Sequence, residues 1–372
     1  MQKEFYHQYD TGKTNDLIQK SARALLDQDI DLDDFFLLLA ADISYQNVRI
    51  NPKGDADFSN IEGGPFAAVI VRYEGGLTKE GKGIGNPEII GIGANHVVPE
   101  NDPSAHGEIS AIRDATHRLK QGDLSDTVMY TSCECCPQCQ ATVTGVGIRR
   151  VVFANSRFDA KNIGFSDEEQ YQHVANMDES MTFVDEIENE GKRQRLLTAL
   201  GSHSAAILDG SGNVVALGNE KTDSHDPLES LPSINAIRTA CKKINSFHLP
   251  EDFVLVSRKK LHPVSFVTAD WARIGRVRDK ERMNDPEFDA FEKDASKIVY
   301  MDEYFEEMRV KSGREHIVLV KTRDILQDVI STPQKRTLTI SHACNKQEVI
   351  EKSRKAFDWW KNLVSKHTKL KY

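Results

Sequence analysis

The sequence predicts an α/β fold, a three-layer α/β/α sandwich duplicated in tandem. Three observations carry this. Short β-branched apolar runs alternate with stretches of helical periodicity. The same succession of elements returns about 125 residues further on. The length of 372 residues suits two domains of ordinary size, each with its own core.

The elements follow in order. Residues 16–45 carry helical periodicity and form a leader. Gly63-Gly64-Pro65 breaks the chain. Residues 66–73 are apolar and β-branched, as a buried strand requires, and 88–93 form a second strand. A loop over 95–105 leads into a helix over 106–120. Residues 127–131 form a third strand that ends at a cysteine cluster. Pro137 fits the first turn of a helix, where no N–H is needed. Residues 150–154 form a fourth strand. A helical joint over 185–200, rich in Glu, Lys and Arg, separates a first domain (1–195) from a second (196–372).

The second domain echoes the first. Ala205-Ala206-Ile207-Leu208 repeats Ala67-Ala68-Val69-Ile70, and Asp226-Pro227 repeats Asp102-Pro103. Ala236-Ile237-Arg238 repeats Ala111-Ile112-Arg113, Pro263 repeats Pro137, and Arg276-Val277 repeats Arg150-Val151.

The formal net charge of -9 gives a field that repels nucleic acid, so a small-molecule partner is expected over a polynucleotide. No apolar run approaches the length of a membrane span. The start, Met1-Gln2-Lys3-Glu4-Phe5, lacks the apolar centre of a signal peptide. Four of six cysteines crowd into Cys133-Glu134-Cys135-Cys136-Pro137-Gln138-Cys139, which is metal-ligand spacing rather than a disulfide framework. A reducing, cytoplasmic setting follows as an expectation.

His106-Gly107-Glu108 lies upstream of that cluster. One imidazole and two thiolates can hold one zinc ion with a fourth position open, and one carboxylate is left to carry protons. The ligands are read as His106, Cys136 and Cys139, with Glu108 as the catalytic acid and base. Cys133 and Cys136 have the same spacing and form a rival pair. A structural zinc is the other alternative; it would take its fourth ligand from Cys133 or Cys135. In the second domain Leu231 and Ser233 stand where His106 and Glu108 stand, and His262 and Ser265 where Cys136 and Cys139 stand. That set cannot make a tight zinc site, so metal is expected in the first domain alone.

These motifs resemble the cytidine deaminase superfamily of zinc hydrolases. His106-Gly107-Glu108 is similar to its His-Ala-Glu box, and Thr131 to Cys139 to its Thr-Ser-x-Glu-Pro-Cys-Pro-x-Cys box, with Cys135 in place of proline. Trp271-Ala272-Arg273-Ile274-Gly275-Arg276-Val277 is similar to the family's strand-entry segment. Within the superfamily the first domain resembles the bacterial guanine deaminases. The resemblance rests on Gly63-Gly64-Pro65-Phe66-Ala67-Ala68-Val69-Ile70-Val71, on Asn95 before Asn101-Asp102-Pro103-Ser104-Ala105-His106, and on Asp159-Ala160-Lys161-Asn162-Ile163-Gly164-Phe165-Ser166-Asp167. It extends loosely to the segment from Ala356-Phe357-Asp358-Trp359-Trp360 to Tyr372, which resembles a swapped tail that closes the pocket.

The resemblance implies hydrolysis of guanine to xanthine and ammonia. It implies that Phe66 packs on the purine face, that Asn95 and Asp167 bond its edge, and that Tyr372 closes the site. Each residue also has a plainer reading: Phe66 as core, Asn95 as the holder of a turn, Asp167 as a helix cap, Tyr372 as a frayed end. It further implies that the second domain stands in for a partner subunit, an intramolecular pseudo-dimer, with a homodimer also open. Guanosine, cytosine or another base or nucleoside remain as alternative substrates. A non-catalytic zinc scaffold is the alternative from outside enzymes.

Overall fold

The computed structural model describes residues 31–48, 63–274, 298–311, 317–319 and 339–342, a helical segment around 354–358, and positions 351 and 361. Within these, 179, 188, 222, 223 and 303 are not described. In chain order the helices are α1 (Leu32–Val48), α2 (Val97–Glu100), α3 (Gly107–Leu119), α4 (Pro137–Gly145), α5 (Arg157–Lys161), α6 (Glu168–Ala175), α7 (Glu190–Leu200), α8 (Pro232–Ile244) and α9 (Pro263–Trp271). The strands are β1 (Ala67–Tyr73), β2 (Pro87–Ala94), β3 (Thr127–Cys133), β4 (Arg150–Asn155), β5 (Thr182–Phe183), β6 (Ala205–Leu208), β7 (Val214–Gly218), β8 (Val254–Ser257), β9 (Ile298–Tyr300), β10 (Arg309–Lys311), β11 (Ile317–Leu319) and β12 (Thr339–His342). Among the described residues no helix is long and apolar enough to cross a membrane.

Two five-stranded sheets dominate, in the orders β12-β4-β3-β1-β2 and β5-β9-β8-β6-β7. In the first, β1 runs antiparallel to β2 and β3, and β3, β4 and β12 run parallel. The second has the same directions: β6 is antiparallel to β7 and β8, and β8, β9 and β5 are parallel. The β1–β2 and β6–β7 pairs each have a register shift, between Ile70 and Val71 in β1 and between Ile207 and Leu208 in β6. Each also brings a helix hard against one glycine. A Cβ on Gly93 would lie 2.1 Å from the Ala111 nitrogen, and one on Gly218 would lie 2.1 Å from the Pro232 oxygen. Only glycine allows that approach.

Helices cover both faces of both sheets. On its outer face the first sheet packs Val69, Tyr130 and Val152 against Phe36, Leu37 and Ile43 of α1. The second packs Ala206, Val256 and Val299 against Leu196 and Leu200 of α7. Between the sheets lies one continuous core that joins Ile109, Ile112 and Cys139 to Ile234, Ile237 and Val264. A polar cluster fastens α1: Arg150 grips the Asp33 carboxylate with two nitrogens, and Tyr130 donates to it at 2.7 Å.

Among the described residues the expected elements are present, with five differences. The loop after Asn95 contains the short helix α2. The repeat in β6 is offset by one residue, because Ala205 pairs with Gly218 as Ala68 pairs with Gly93. The strand beside β8 is Ile298–Tyr300, while Arg276 and Val277 lie outside the described residues. The boundary at 195/196 falls inside α7. The sheets also exchange edges: β5 joins the second sheet and β12 the first. A strand pairs with whatever open edge is in reach, and backbone groups carry no sequence label to forbid it. Of the leader, only the part in α1 is described.

The halves meet at a charged quartet. Arg238 Nε sits 2.9 Å from Asp102 Oδ2, and Arg113 Nε sits 2.9 Å from Asp226 Oδ2. The crossed pairs are 3.7 and 3.2 Å apart. Burial alone would push the Asp102 carboxyl up, but Arg238 and Arg113 outweigh it and hold it at about 2. That value lies below the ordinary carboxylate value of about 3.9, so the unfolded chain binds the proton more tightly. The stabilisation is therefore complete above about pH 4 and is lost as pH falls toward 2. Asp102→Asn leaves two guanidinium groups short of a partner and should cost about 3–5 kcal/mol in urea unfolding at pH 7. An unchanged midpoint would show that the quartet does not hold the halves together.

Candidate metal centre and cleft

Two helices of the first half begin at the same point in space. His106 is the N-cap of α3 and Cys136 the N-cap of α4, both in extended backbone conformation and neither side chain bonded as a cap. Their side chains are thus free to face each other. Gly107 brings α3 onto β1; a Cβ there would lie 2.9 Å from the Ala67 Cα. Pro137 starts α4 at once after Cys136, and one helical turn carries Cys139 to the same side.

The result is a compact donor set. His106 Nδ1 lies 3.4 Å from the sulfur of Cys136 and 3.4 Å from that of Cys139, and the two sulfurs are 3.5 Å apart. A tetrahedral ion with bonds of about 2.0–2.3 Å needs donors spaced by roughly 3.4–3.8 Å. Among the described residues this is the group of three or more ligand side chains close enough to share an ion. Cys133 points its sulfur to the Ser156 carbonyl instead, and Cys135 is packed in the core. The geometry therefore pairs Cys136 with Cys139, not with Cys133.

The charges agree with that arrangement. Burial would raise the Cys136 thiol, but the Cys139 S–H and the His106 ring outweigh it and hold it well below the ordinary thiol range. Burial and the neighbouring Cys136 charge push Cys139 well up. A cation held between the two sulfurs would favour the thiolate form of both. Zinc fits these donors on both distance and charge.

Glu108 stands one position into α3, 4% exposed. One carboxylate oxygen accepts from the Thr131 hydroxyl at 3.1 Å; the other lies 3.4 Å from the Cys139 sulfur. Burial, then the Cys136 charge, raises its pKa. A carboxyl with a raised pKa next to a metal triad suits proton transfer.

The triad opens on a partly open, mostly apolar cleft. Phe66, Asn95 and Asp167 all line it. Phe66 is held edge to face by Phe165 at 4.7 Å and by Phe357 at 5.6 Å. Asn95 does hold a turn: its Oδ1 accepts the backbone N–H groups of Val97 and Gly64 at 3.3 and 3.4 Å. That leaves its NH₂ group as the part available to a ligand. Asp167 occupies the N-cap of α6 without making a cap bond. Burial and the Cys136 charge raise its carboxyl to about 7. Tyr372 lies outside the described residues.

Sequence reasoning gave no site role to Trp271 and Phe247, which line the cleft from the second half. Trp271 falls in the segment similar to the family's strand entry, but only the contact between the halves shows where it points. Phe165 and Phe357 lie in family-like motifs, and nothing local in the sequence places them against Phe66. In the second half, Ser233 and Ser265 face each other across the carboxylate of Glu306, with bonds of 2.6 and 2.7 Å. The backbone N–H of Ser233 adds another at 3.0 Å. Nothing in the local pattern foretold that a glutamate some 70 residues from Ser233 would fill this point.

Comparison with known proteins agrees with the site. Residues 54–155 match the family described as the cytidine and deoxycytidylate deaminase zinc-binding region. A guanine deaminase of Bacillus subtilis is 38% identical over 112 residues, which is 30% of this chain and 64% of that protein. A tRNA-specific adenosine deaminase of Buchnera aphidicola is 37% identical over 78 residues, 21% of this chain and 52% of the relative. The chain thus spans between half and two thirds of these curated relatives. The X-ray structure of guanine deaminase from Bacillus subtilis is 34% identical, covers 37% of this chain and 74% of that one, and has a TM-score of 0.30. A guanine deaminase structure from Nitrosomonas europaea is 27% identical, covers 36% and 65%, and scores 0.29. Residues 54–155 thus form a cytidine and deoxycytidylate deaminase zinc-binding region.

Proposed function

We propose that this protein is a zinc-dependent aminohydrolase that converts guanine and water to xanthine and ammonia. One observation carries the reading: a buried carboxyl, Glu108, lies beside a three-donor metal set at the wall of an apolar cleft. A purely structural zinc gives Glu108 no task. The guanine deaminase relatives support the choice of base, as does the trio of Phe66, Asn95 and Asp167 on the cleft wall.

His106, Cys136 and Cys139 would hold one zinc per chain. Held there, zinc supplies the Lewis acidity that makes water a nucleophile at neutral pH. Glu108 takes the proton released by water and passes it to the departing amino group, its orientation kept by Thr131. Asn95 offers donors and Asp167 an acceptor or donor to the purine edge. Phe66 packs on the purine face, with Phe165 behind it. A small base, rather than nucleic acid, is the partner that an acidic chain favours. A cytoplasmic setting belongs to the same reading, since the five described cysteines are all free of disulfides.

The second half (196–372) is, in this reading, a duplicated copy that replaces a partner subunit, giving a pseudo-dimer within one chain. The repeated strand order and register shifts support it. The segment 353–372 would cover the first half's cleft, ending at Tyr372. The contact of Phe357 with Phe66 supports this.

Ammonia release from guanine, guanosine, cytosine, cytidine and adenine, measured for wild type beside Glu108→Gln, tests the reaction. Guanine should be preferred, and the variant should lose about 10²–10⁴-fold in turnover with zinc retained. Equal rates on every compound would sink the reading. Asp167→Asn should lower kcat/KM for guanine by roughly 10–100-fold without loss of zinc, as removal of a charged hydrogen-bond partner does. Deleting 353–372 should cut turnover and leave metal content intact; unimpaired turnover would exclude the tail from the site.

A further inference from the structure

One side chain of the second half touches a donor of the first half's metal set. Trp271 closes α9, and its indole meets the His106 ring edge to face, with centroids 5.4 Å apart and planes at 69°. In most metal sites the second imidazole nitrogen donates to a carboxylate or a carbonyl, and that bond fixes ring orientation and tautomer. His106 turns Nδ1 to the two sulfurs. Among the described residues its Nε2 has no hydrogen-bond partner. Packing is then what the described residues offer to orient the ring, and Trp271 is the aromatic in contact with it.

Trp271 is itself firmly placed. Its helix lies against α4, the helix that carries both sulfurs, and Gln138 of α4 donates to Thr268 of α9 at 2.5 Å. Thr268 stands three residues before Trp271, less than a helical turn away. The neighbouring Asp270 bonds His173 of α6 at 3.2 Å. The indole N–H is buried without an acceptor among the described residues.

We propose that Trp271 is a positioning residue that orients His106 toward the metal. The second half holds Leu231, Ser233, His262 and Ser265 where the first half has its donors and acid, and it contributes instead the brace for its neighbour's histidine. This rests on the zinc reading above and adds to it a residue from outside the metal-binding family segment.

The test uses the full chain with Trp271→Phe and Trp271→Leu, and compares zinc affinity by competition with a chromogenic chelator. The cobalt-substituted forms report donor geometry through their ligand-field bands, and thermal unfolding checks the fold. Trp271→Leu should bind zinc about 10–100-fold more weakly, as loss of an orienting neighbour does, and its cobalt bands should shift. Trp271→Phe, which keeps an aromatic edge, should restore both to near wild type. Should the leucine variant not fold, Trp271→Met takes its place. Leucine or methionine variants that hold zinc as tightly as wild type overturn the proposal. So does a phenylalanine variant as weak as leucine, since that would reduce the effect to lost volume. A wild-type chain that binds no zinc overturns the parent reading instead.

Discussion

The convergence of two helix starts is the constraint on which this molecule turns. His106 and Cys136 occupy N-cap positions of α3 and α4, so both side chains leave the helices where the backbone presents unpaired N–H groups and partial positive charge. That field favours a thiolate. The two starts approach because Gly107 lets α3 settle on β1 and because β3 delivers the chain to Cys136. Move either helix by one residue and the three donors no longer meet within bonding range of a common ion.

The rest of the first half serves that convergence. The outer layer, α1 with its Asp33–Arg150 pair, seals the sheet from behind. Thr131, one strand position from the cysteine loop, steadies Glu108. The cleft wall opposite is built from segments far apart in sequence: Phe66 before β1, Asn95 after β2 and Asp167 before α6. Asn95 closes a turn with its oxygen while its side chain lines the cleft.

The second half repeats the scaffold without the donor chemistry. The carboxylate of Glu306 sits between Ser233 and Ser265, where it takes hydroxyl and amide hydrogen bonds at the start of α8. A buried carboxyl satisfied in this way is a stable occupant of a polar cavity. The two halves share one core between their sheets and a quartet of opposite charges across the junction. They also trade edge strands, so neither sheet is complete without the other half.

Local chemistry was legible from the sequence. Alternating apolar runs gave β1 to β4, and Pro137 announced α4. The spacing of Cys136 and Cys139, with His106 upstream, pointed to the three donors that the structure brings together, because one helical turn carries the second thiol to the side of the first. The recurrence of Ala236-Ile237-Arg238 foretold a second sheet of the same plan. Tertiary structure decided between the rival thiol pairs, and it alone decided that Asn95 holds a turn at the cleft wall, that β5 and β12 cross to the other sheet, and that Trp271 rests on His106. The reason is physical. Periodicity and spacing record what a residue does within its own turn or strand, whereas contacts between distant segments depend on how whole layers pack, and no single stretch of sequence carries that information.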